Sequence, residues 1–191
     1  ESGGFMKLAR NRFDAEFDAQ SEKPGEQRLE KMVSGRYMGE LFGMAIAELL
    51  GEKGKKYGFT SIDMSNIILD ETAGLSEVGR IVSAKTGHDL EEVDRQRLQE
   101  LASALVVRSA RLVTATYVGI IWQLAGDEAI KKQHIAIDGS VYEKMPLAKE
   151  NIMRALSELL GESAPLVDTV LENGGSGLGA AIAAAMSQQQ A

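Results

Sequence analysis

The feature that most constrains the fold of this chain is a long stretch of helical periodicity in its middle. From about Leu90 to Leu124, apolar side chains recur every three or four residues, the spacing of one helix face. This pattern predicts a single long helix, with Asp89 as a candidate N-cap. The predicted apolar stripe, which should face the core, consists of Leu98, Leu101, Leu105, Leu112, Ala115, Gly119 and Trp122.

Other segments predict further helices and a few strands. A second long apolar stripe predicts a helix from Gly25 to about Gly51, with Pro24 near its start. Two stretches predict strands: residues 134–145, as a hairpin around Asp138–Gly139, and "LVDTVLE"; the opening "SGGFMKL" is a third candidate. Together these elements suggest a three-layer α/β arrangement. Shorter helices are predicted at Ser65–Leu69, Leu75–Lys85 (ending at Gly87) and Ala148–Leu160.

Composition narrows the class of protein. The chain has 191 residues, enough for one domain spanning 1–191, and is 44% hydrophobic and 26% charged. A net charge of −7 argues against nucleic-acid binding, and no run approaches the roughly 20 apolar residues of a membrane span. There is no cysteine, and the two histidines lie far apart in sequence, so we expect no thiolate or histidine metal site and a cytoplasmic location. Because the chain opens without methionine, we expect it to be part of a longer protein.

A glycine-rich turn follows the last predicted strand. In "NGGSGLG", the glycines at 174, 175, 177 and 179 remove side chains that would block a close approach, and Ser176 offers a hydroxyl. Between a strand and a helix, such a turn can present backbone N–H groups to a nucleotide. A turn that only reverses the chain is the simpler interpretation from these residues alone.

The helix predicted after Pro24 carries a second candidate site. Gln27 and Glu30 are three residues apart and share a helix face, and an amide beside a carboxylate suits a polyol. A solvated helix start explains the same residues and is favoured without other information. Gly35 and Gly39 each cost about 1 kcal/mol inside a helix relative to alanine, which hints at close packing or at the approach of a ligand.

Six segments, in this order, resemble the large domain of the eukaryotic-type hexokinase and glucokinase family. The resemblance is collinear over almost the whole chain. It implies an α/β fold of the actin-like ATPase (ribonuclease H-like) class, helix-rich with a small mixed sheet and incomplete without an upstream part. The segments are "ESGGF", "PGEQRLEKMVSGRYMGEL", "FTSIDMSNIILD", "VRSARLVTATYVGII", "AIDGSVYEKMP" and "NGGSGLGAA".

The resemblance also implies roles for individual residues. Glu1 and Glu30 would hydrogen-bond the hydroxyls of a hexose, with Gln27 nearby. The nucleotide would be ATP, with Mg²⁺ held mainly through its phosphates. No catalytic residue and no metal ligand is assigned within the chain, because the family's base aspartate is expected upstream, in a small domain. The residues expected to face the nucleotide are Gly35, Arg36, Arg108, Gly175, Ser176, Gly177 and Gly179.

The implied activity is transfer of the γ-phosphoryl group of ATP to the primary hydroxyl of a glucose-like hexose, and we expect this chain alone to be inactive. Two departures from the family pattern, Val106 for serine and Leu178 for lysine or arginine, motivate an alternative: a hexokinase-like sugar sensor without phosphotransfer. A purely structural helical interaction domain is a third possibility. The residues make no prediction of oligomeric state.

Overall fold

The structure, a computed structural model, describes residues 2–172 and 174–188, with the side chains of residues 176, 178, 183, 187 and 188 left aside. The described part is mainly helical. Its two strands, β1 (Gln133–Ile137) and β2 (Val167–Leu171), pair in parallel with Ile137 opposite Leu171. Short 3-10 turns lie at Ser2–Gly4, Ala73–Leu75 and Gly161–Leu166. The helices are α1 (Arg12–Gln20), α2 (Arg28–Val33), α3 (Gly35–Leu49), α4 (Ser61–Ile68), α5 (Ser76–Thr86), α6 (Glu92–Ala125), α7 (Ser140–Lys144), α8 (Ala148–Leu160) and α9 (Gly175–Gln188).

The predicted long helix is confirmed as α6, although its N-cap is Glu91 and not Asp89. It contacts α2, α3, α4, α5 and α8, so it runs through the centre of the fold. By length and composition α6 is apolar enough to cross a membrane, with an 18-residue window of mean hydropathy 1.4 that is 33% buried inside the protein. One such helix is weak evidence of a membrane span, because the core helix of a globular protein passes the same test.

The buried face of α6 differs from the predicted stripe in its second half. Trp122 is 54% exposed, and Ala115 and Gly119 are also exposed. The buried face contains several small side chains, which allow neighbouring helices to approach closely. A prediction based on the spacing of large apolar residues does not detect such a face. The buried residues of α6 are Leu98, Ala102, Val106, Ser109, Ala110, Thr114, Val118 and Ile121.

Two apolar clusters share α6 as a common wall. The first lies among α3, α4, α5 and the N-terminal half of α6, with Phe42 and Met64 fully buried. The second joins the C-terminal half of α6 to α8 and to one face of the sheet. On the other face of the sheet, His134 and Asp168 are exposed and paired. Within the described residues, the expected third layer is therefore not formed.

The predicted helix from Gly25 to Gly51 is in fact two helices. Ser34 adopts an extended conformation (φ −67°, ψ 137°) between α2 and α3, and its carbonyl accepts the first hydrogen bond of α3 from Met38 N (3.0 Å). Helix α2 begins only after Gln27, which is in the left-handed region at φ 49°. Pro24 therefore lies in the preceding loop and not in a first helical turn.

The N-terminal prediction was wrong. The opening residues form a 3-10 turn at Ser2–Gly4 and not a strand. The sequence analysis also missed α1, whose signal is a capping box: Asn11 and Asp14 each accept a hydrogen bond from the other's backbone N–H. A second capping box, Thr60 with Asp63, starts α4 four residues earlier than predicted.

Three other predictions agree with the structure. Helix α8 has the predicted bounds, and β2 is the predicted strand. Helix α5 ends at Gly87, whose positive φ of 76° forms a left-handed C-cap.

Candidate functional site

Two of the three predicted sugar contacts, Gln27 and Glu30, lie together at the start of helix α2. A methyl group at Gly3 would lie 2.7 Å from Gln27 Oε1 and 3.4 Å from Glu30 Cβ. The start of the chain therefore packs directly on Gln27 and Glu30. Gln27 Oε1 is buried and has no hydrogen-bond partner among the described residues. Glu1, the third predicted contact, lies outside the described residues, so its role stays a prediction.

Gln27 and Glu30 line an open cavity of about 590 Å³. This volume falls within the range of small-molecule sites. Its walls are one face of α3, helix α1 and the segment 53–61, and it carries both acidic and basic side chains. The cavity also reaches Arg36, Tyr37, Glu40, Met44, Tyr57 and Ser61.

A buried ion pair supports the wall that carries Glu30. Lys31 Nζ lies 2.6 Å from Asp18 Oδ1, and the two side chains are 7% and 12% exposed. The hydrogen bond from Lys31 is the main reason that the pKa of Asp18 lies below its usual range, and the backbone N–H of Gly25 acts in the same direction against burial. The Asp18 carboxylate therefore accepts hydrogen bonds from Lys31 Nζ and from Gly25 N.

Gly35 and Arg36 have different surroundings. Gly35 is buried at the start of α3, where a methyl group would lie 2.8 Å from Val141 Cγ2 of α7. Close packing therefore accounts for this glycine. Arg36 is exposed on the cavity, with its guanidinium 5.4 Å from the centroid of the Tyr37 ring. Its predicted contact with a nucleotide stays a prediction.

The two strands end in turns at the same edge of the sheet. The predicted hairpin at Asp138–Gly139 was wrong, because β1 leads through these residues into α7 and does not reverse. Strand β2 likewise leads into α9. A hydrogen bond of 2.9 Å from Glu172 N to Ile137 O joins the two strand ends. In parallel α/β sheets, this edge, where helices begin, is where phosphates and nucleotides bind.

The predicted glycine turn opens α9. Gly175, Gly177 and Gly179 all lie in the first two turns of this helix. A methyl group at Gly177 or Gly179 would meet no described atom within 4 Å, so this surface is open. The side chain of Ser176 lies outside the described residues. The nucleotide role of these four residues stays a prediction.

A second cavity, of about 150 Å³, lies beside the end of β1. Its lining is mostly apolar and includes Gly139, Val141 and Val106. Burial and the neighbouring Tyr142 raise the pKa of Tyr117, which also lines it, so Tyr117 is a neutral phenol here. The sequence analysis did not assign Asp138–Gly139 to a site; a glycine directly after a parallel strand was the available signal.

Arg108 is directed at α1. Its Nη1 lies 2.9 Å from Asp14 Oδ1 and 3.0 Å from Asp14 Oδ2, and the side chain of Asp14 is only 3% exposed. Arg108 lines neither cavity. Its Nε and Nη2 are buried without a hydrogen-bond partner among the described residues. In the structure, Arg108 therefore forms an ion pair with Asp14. Its predicted nucleotide contact stays a prediction.

Comparison with known proteins decides the family. The family model described as hexokinase matches residues 1–186. The chain belongs to the hexokinase family. Among curated hexokinases, Hexokinase-2 of Candida albicans is 32% identical over 96% of this chain, and Hexokinase-7 of Oryza sativa is 35% identical over 93%. The chain spans 40% and 42% of the lengths of these two relatives.

Solved hexokinase structures share the fold. One crystal structure of a hexokinase matches 90% of this chain with a TM-score of 0.75 at 24% identity. Hexokinase from Schistosoma mansoni, solved in complex with glucose, matches 85% with a TM-score of 0.72 at 23% identity. The chain covers 40% and 38% of those chains. The expected fold class, an actin-like ATPase fold that is helix-rich with a small sheet, is confirmed, and the described sheet is parallel.

Proposed function

We propose that the protein containing this chain transfers the γ-phosphoryl group of ATP to the primary hydroxyl of a glucose-like hexose. The observation that carries the proposal is the convergence of Gln27 and Glu30 on an open cavity, in a chain whose hexokinase match spans residues 1–186. The product would be a hexose phosphate for glycolysis.

In this proposal Gln27 and Glu30 orient the sugar. A carboxylate accepts hydrogen bonds from two hydroxyls at once, and an amide can donate and accept. Glu1 would add a second carboxylate from the chain start, since Gly3 packs on Gln27 and Glu30. Fixing the hydroxyls in this way places the reacting oxygen for in-line attack.

The nucleotide would lie at the edge where β1 and β2 end. The backbone N–H groups at the start of α9 would donate to the phosphate oxygens. The apolar cavity beside Gly139 is suited to a flat base or ribose. Arg36 would add a positive charge between this edge and the sugar.

Mg²⁺ would accompany the phosphates of ATP. Within residues 2–172 and 174–188, no three His, Asp or Glu side chains lie close enough to hold a metal ion. In this proposal the chain binds and orients the two substrates. The proton of the sugar hydroxyl would pass to the aspartate expected upstream.

The sensor alternative is not favoured. The first departure behind it is Val106, a core residue with 1% exposure. Val106 lines the mostly apolar cavity proposed for the base, where an apolar side chain is compatible with nucleotide binding. The side chain of Leu178 lies outside the described residues. The curated relatives named above are hexokinases, which also speaks against a purely structural domain.

The test is a coupled assay on the protein from the complete gene, with ATP and a panel of hexoses. We expect turnover with at least one hexose, and a large loss for Glu30→Gln, which keeps the shape but removes the charge. Glu150→Gln, on the surface of α8, is the matched control. Turnover in the wild type that Glu30→Gln leaves unchanged would refute the site, and no turnover with any hexose would refute the activity. We expect the 191-residue chain alone to show none.

A further inference from the structure

The Asp18–Lys31 ion pair lies directly behind the two residues proposed to hold the sugar. Lys31 follows Glu30 on α2, and its backbone N donates to Gln27 O at 3.0 Å. Although Lys31 lies in the cavity wall, its ammonium group is directed inward, at Asp18 Oδ1. It therefore reaches the site through its neighbours and not by contact with a sugar.

The same pair holds the loop that leads into α2. Besides Asp18, Lys31 Nζ donates to Lys23 O at 2.6 Å. The Asp18 carboxylate in turn accepts from Gly25 N at 3.1 and 3.2 Å. Two points of the loop between α1 and α2 are thus fixed by one carboxylate and one ammonium group.

Gln27 depends on such support. As the last loop residue, it adopts φ 49° and ψ 46°, a left-handed conformation that is strained for a residue other than glycine. Its side chain makes no capping hydrogen bond to α2. A conformation of this kind persists only where the surrounding structure fixes it.

We propose that Asp18 and Lys31 are positioning residues, which hold Gln27 and Glu30 in the geometry that binds the hexose. This inference rests on the proposed function. A displacement of about 1 Å in a positioned group is enough to cost up to a hundredfold in catalysis. Loss of the pair therefore acts on the sugar and leaves the nucleotide edge, built on β1 and β2, in place.

The experiment uses the protein from the complete gene and three variants. Lys31→Met removes the charge at similar length, and Lys31→Arg keeps it. Arg12→Met breaks an exposed ion pair between α1, the helix that also carries Asp18, and Glu48 of α3. We expect Lys31→Met to raise the KM for the hexose about tenfold or more while the KM for ATP stays within about twofold. Lys31→Arg should recover part of the loss, and Arg12→Met should match the wild type.

Hydrogen exchange, measured without any sugar, tests the positioning role of the Asp18–Lys31 pair independently of activity. We expect the backbone amides of residues 27–31 to exchange faster in Lys31→Met than in the wild type or Arg12→Met. If Lys31→Met does not fold, Asp18→Asn takes its place in both measurements. A lower Tm with an unchanged KM for the hexose would overturn the proposal. If the wild type phosphorylates no hexose, the proposed function fails. Unchanged hydrogen exchange in Lys31→Met would independently overturn the positioning role of the Asp18–Lys31 pair.

Discussion

A methyl group at Gly35 would lie 2.8 Å from Cγ2 of Val141, closer than carbon atoms pack. Gly35 starts α3, next to the helix that carries Glu30, and Val141 lies on α7, which begins where β1 ends. This contact therefore joins the proposed sugar side of the site to its proposed nucleotide side. The absence of a side chain at Gly35 sets how closely the two sides approach.

Gly35→Ala should lower the free energy of unfolding by about 1–3 kcal/mol, the usual cost of overpacking. Because the obstacle is a methyl group of Val141, the double variant with Val141→Ala should recover part of that loss. Urea unfolding of the single and double variants measures both effects. Gly119→Ala is the control, since a methyl group there meets no described atom within 4 Å and should be neutral or stabilising. Equal losses in the single and double variants would show that Val141 is not the obstacle.

Gly39→Ala should be more damaging than Gly35→Ala. A methyl group at Gly39 would lie 2.5 Å from Phe59 O and 2.8 Å from Thr60 Cα, which are backbone atoms. Backbone cannot be truncated, so α3 itself must move away from segment 59–60, and this segment borders the cavity. We expect a lower Tm than for Gly35→Ala, and no rescue by Thr60→Ser. A Tm equal to the wild type would mean that α3 is free to shift.

The glycines show how far sequence reasoning reaches. Their cost inside a helix indicated close packing or a ligand at Gly35 and Gly39, and the structure shows packing for both. The partner atoms lie far along the chain, so no local pattern could have named Val141. Periodicity located α6 and α8 well, but it missed the break at Ser34 between α2 and α3.

Arg108→Met should act mainly on stability. It would leave the Asp14 carboxylate, 3% exposed, without its cation, and breaking a buried pair costs about 3–5 kcal/mol. Asp14→Asn in the same background should recover part of this loss, because no buried charge remains. Urea unfolding and the KM for ATP distinguish the two roles of Arg108. A raised KM for ATP with unchanged stability would favour the nucleotide contact implied by the family resemblance.

The site was predictable only where its residues share one local segment. Gln27 and Glu30 were found together because they lie three residues apart. Asp18, which lies behind them and pairs with Lys31, was missed because α1 was missed. The turn at Asp138–Gly139 was taken for a hairpin because its composition fits one, whereas the parallel pairing of β1 depends on β2, thirty residues later.

A surface cluster around Glu52 should give the protein a distinct pH dependence. Glu52 accepts hydrogen bonds from the Tyr57 hydroxyl and from Lys55 Nζ, which lower the pKa of Glu52 from 4.5 to about 2. Burial and the Glu52 carboxylate raise the pKa of Tyr57 from 10.0 to about 12. His88 Nε2 also lies 3.5 Å from Glu52.

The two pKa shifts act at opposite ends of the pH range, so each lowers the unfolding free energy at a different extreme of pH. A carboxyl whose pKa is depressed on folding contributes stability above its unfolded pKa, and this contribution is lost as the pH falls from 4.5 towards 2. A phenol whose pKa is raised contributes below 10.0 and loses that contribution as the pH rises towards 12. Tyr57→Phe removes the hydrogen bond that links both groups. Urea unfolding of wild type and variant should therefore show the largest difference in unfolding free energy near neutral pH, with a smaller one in the acid and alkaline windows. A difference that is constant across the pH range would show that Tyr57 contributes only through packing of its ring.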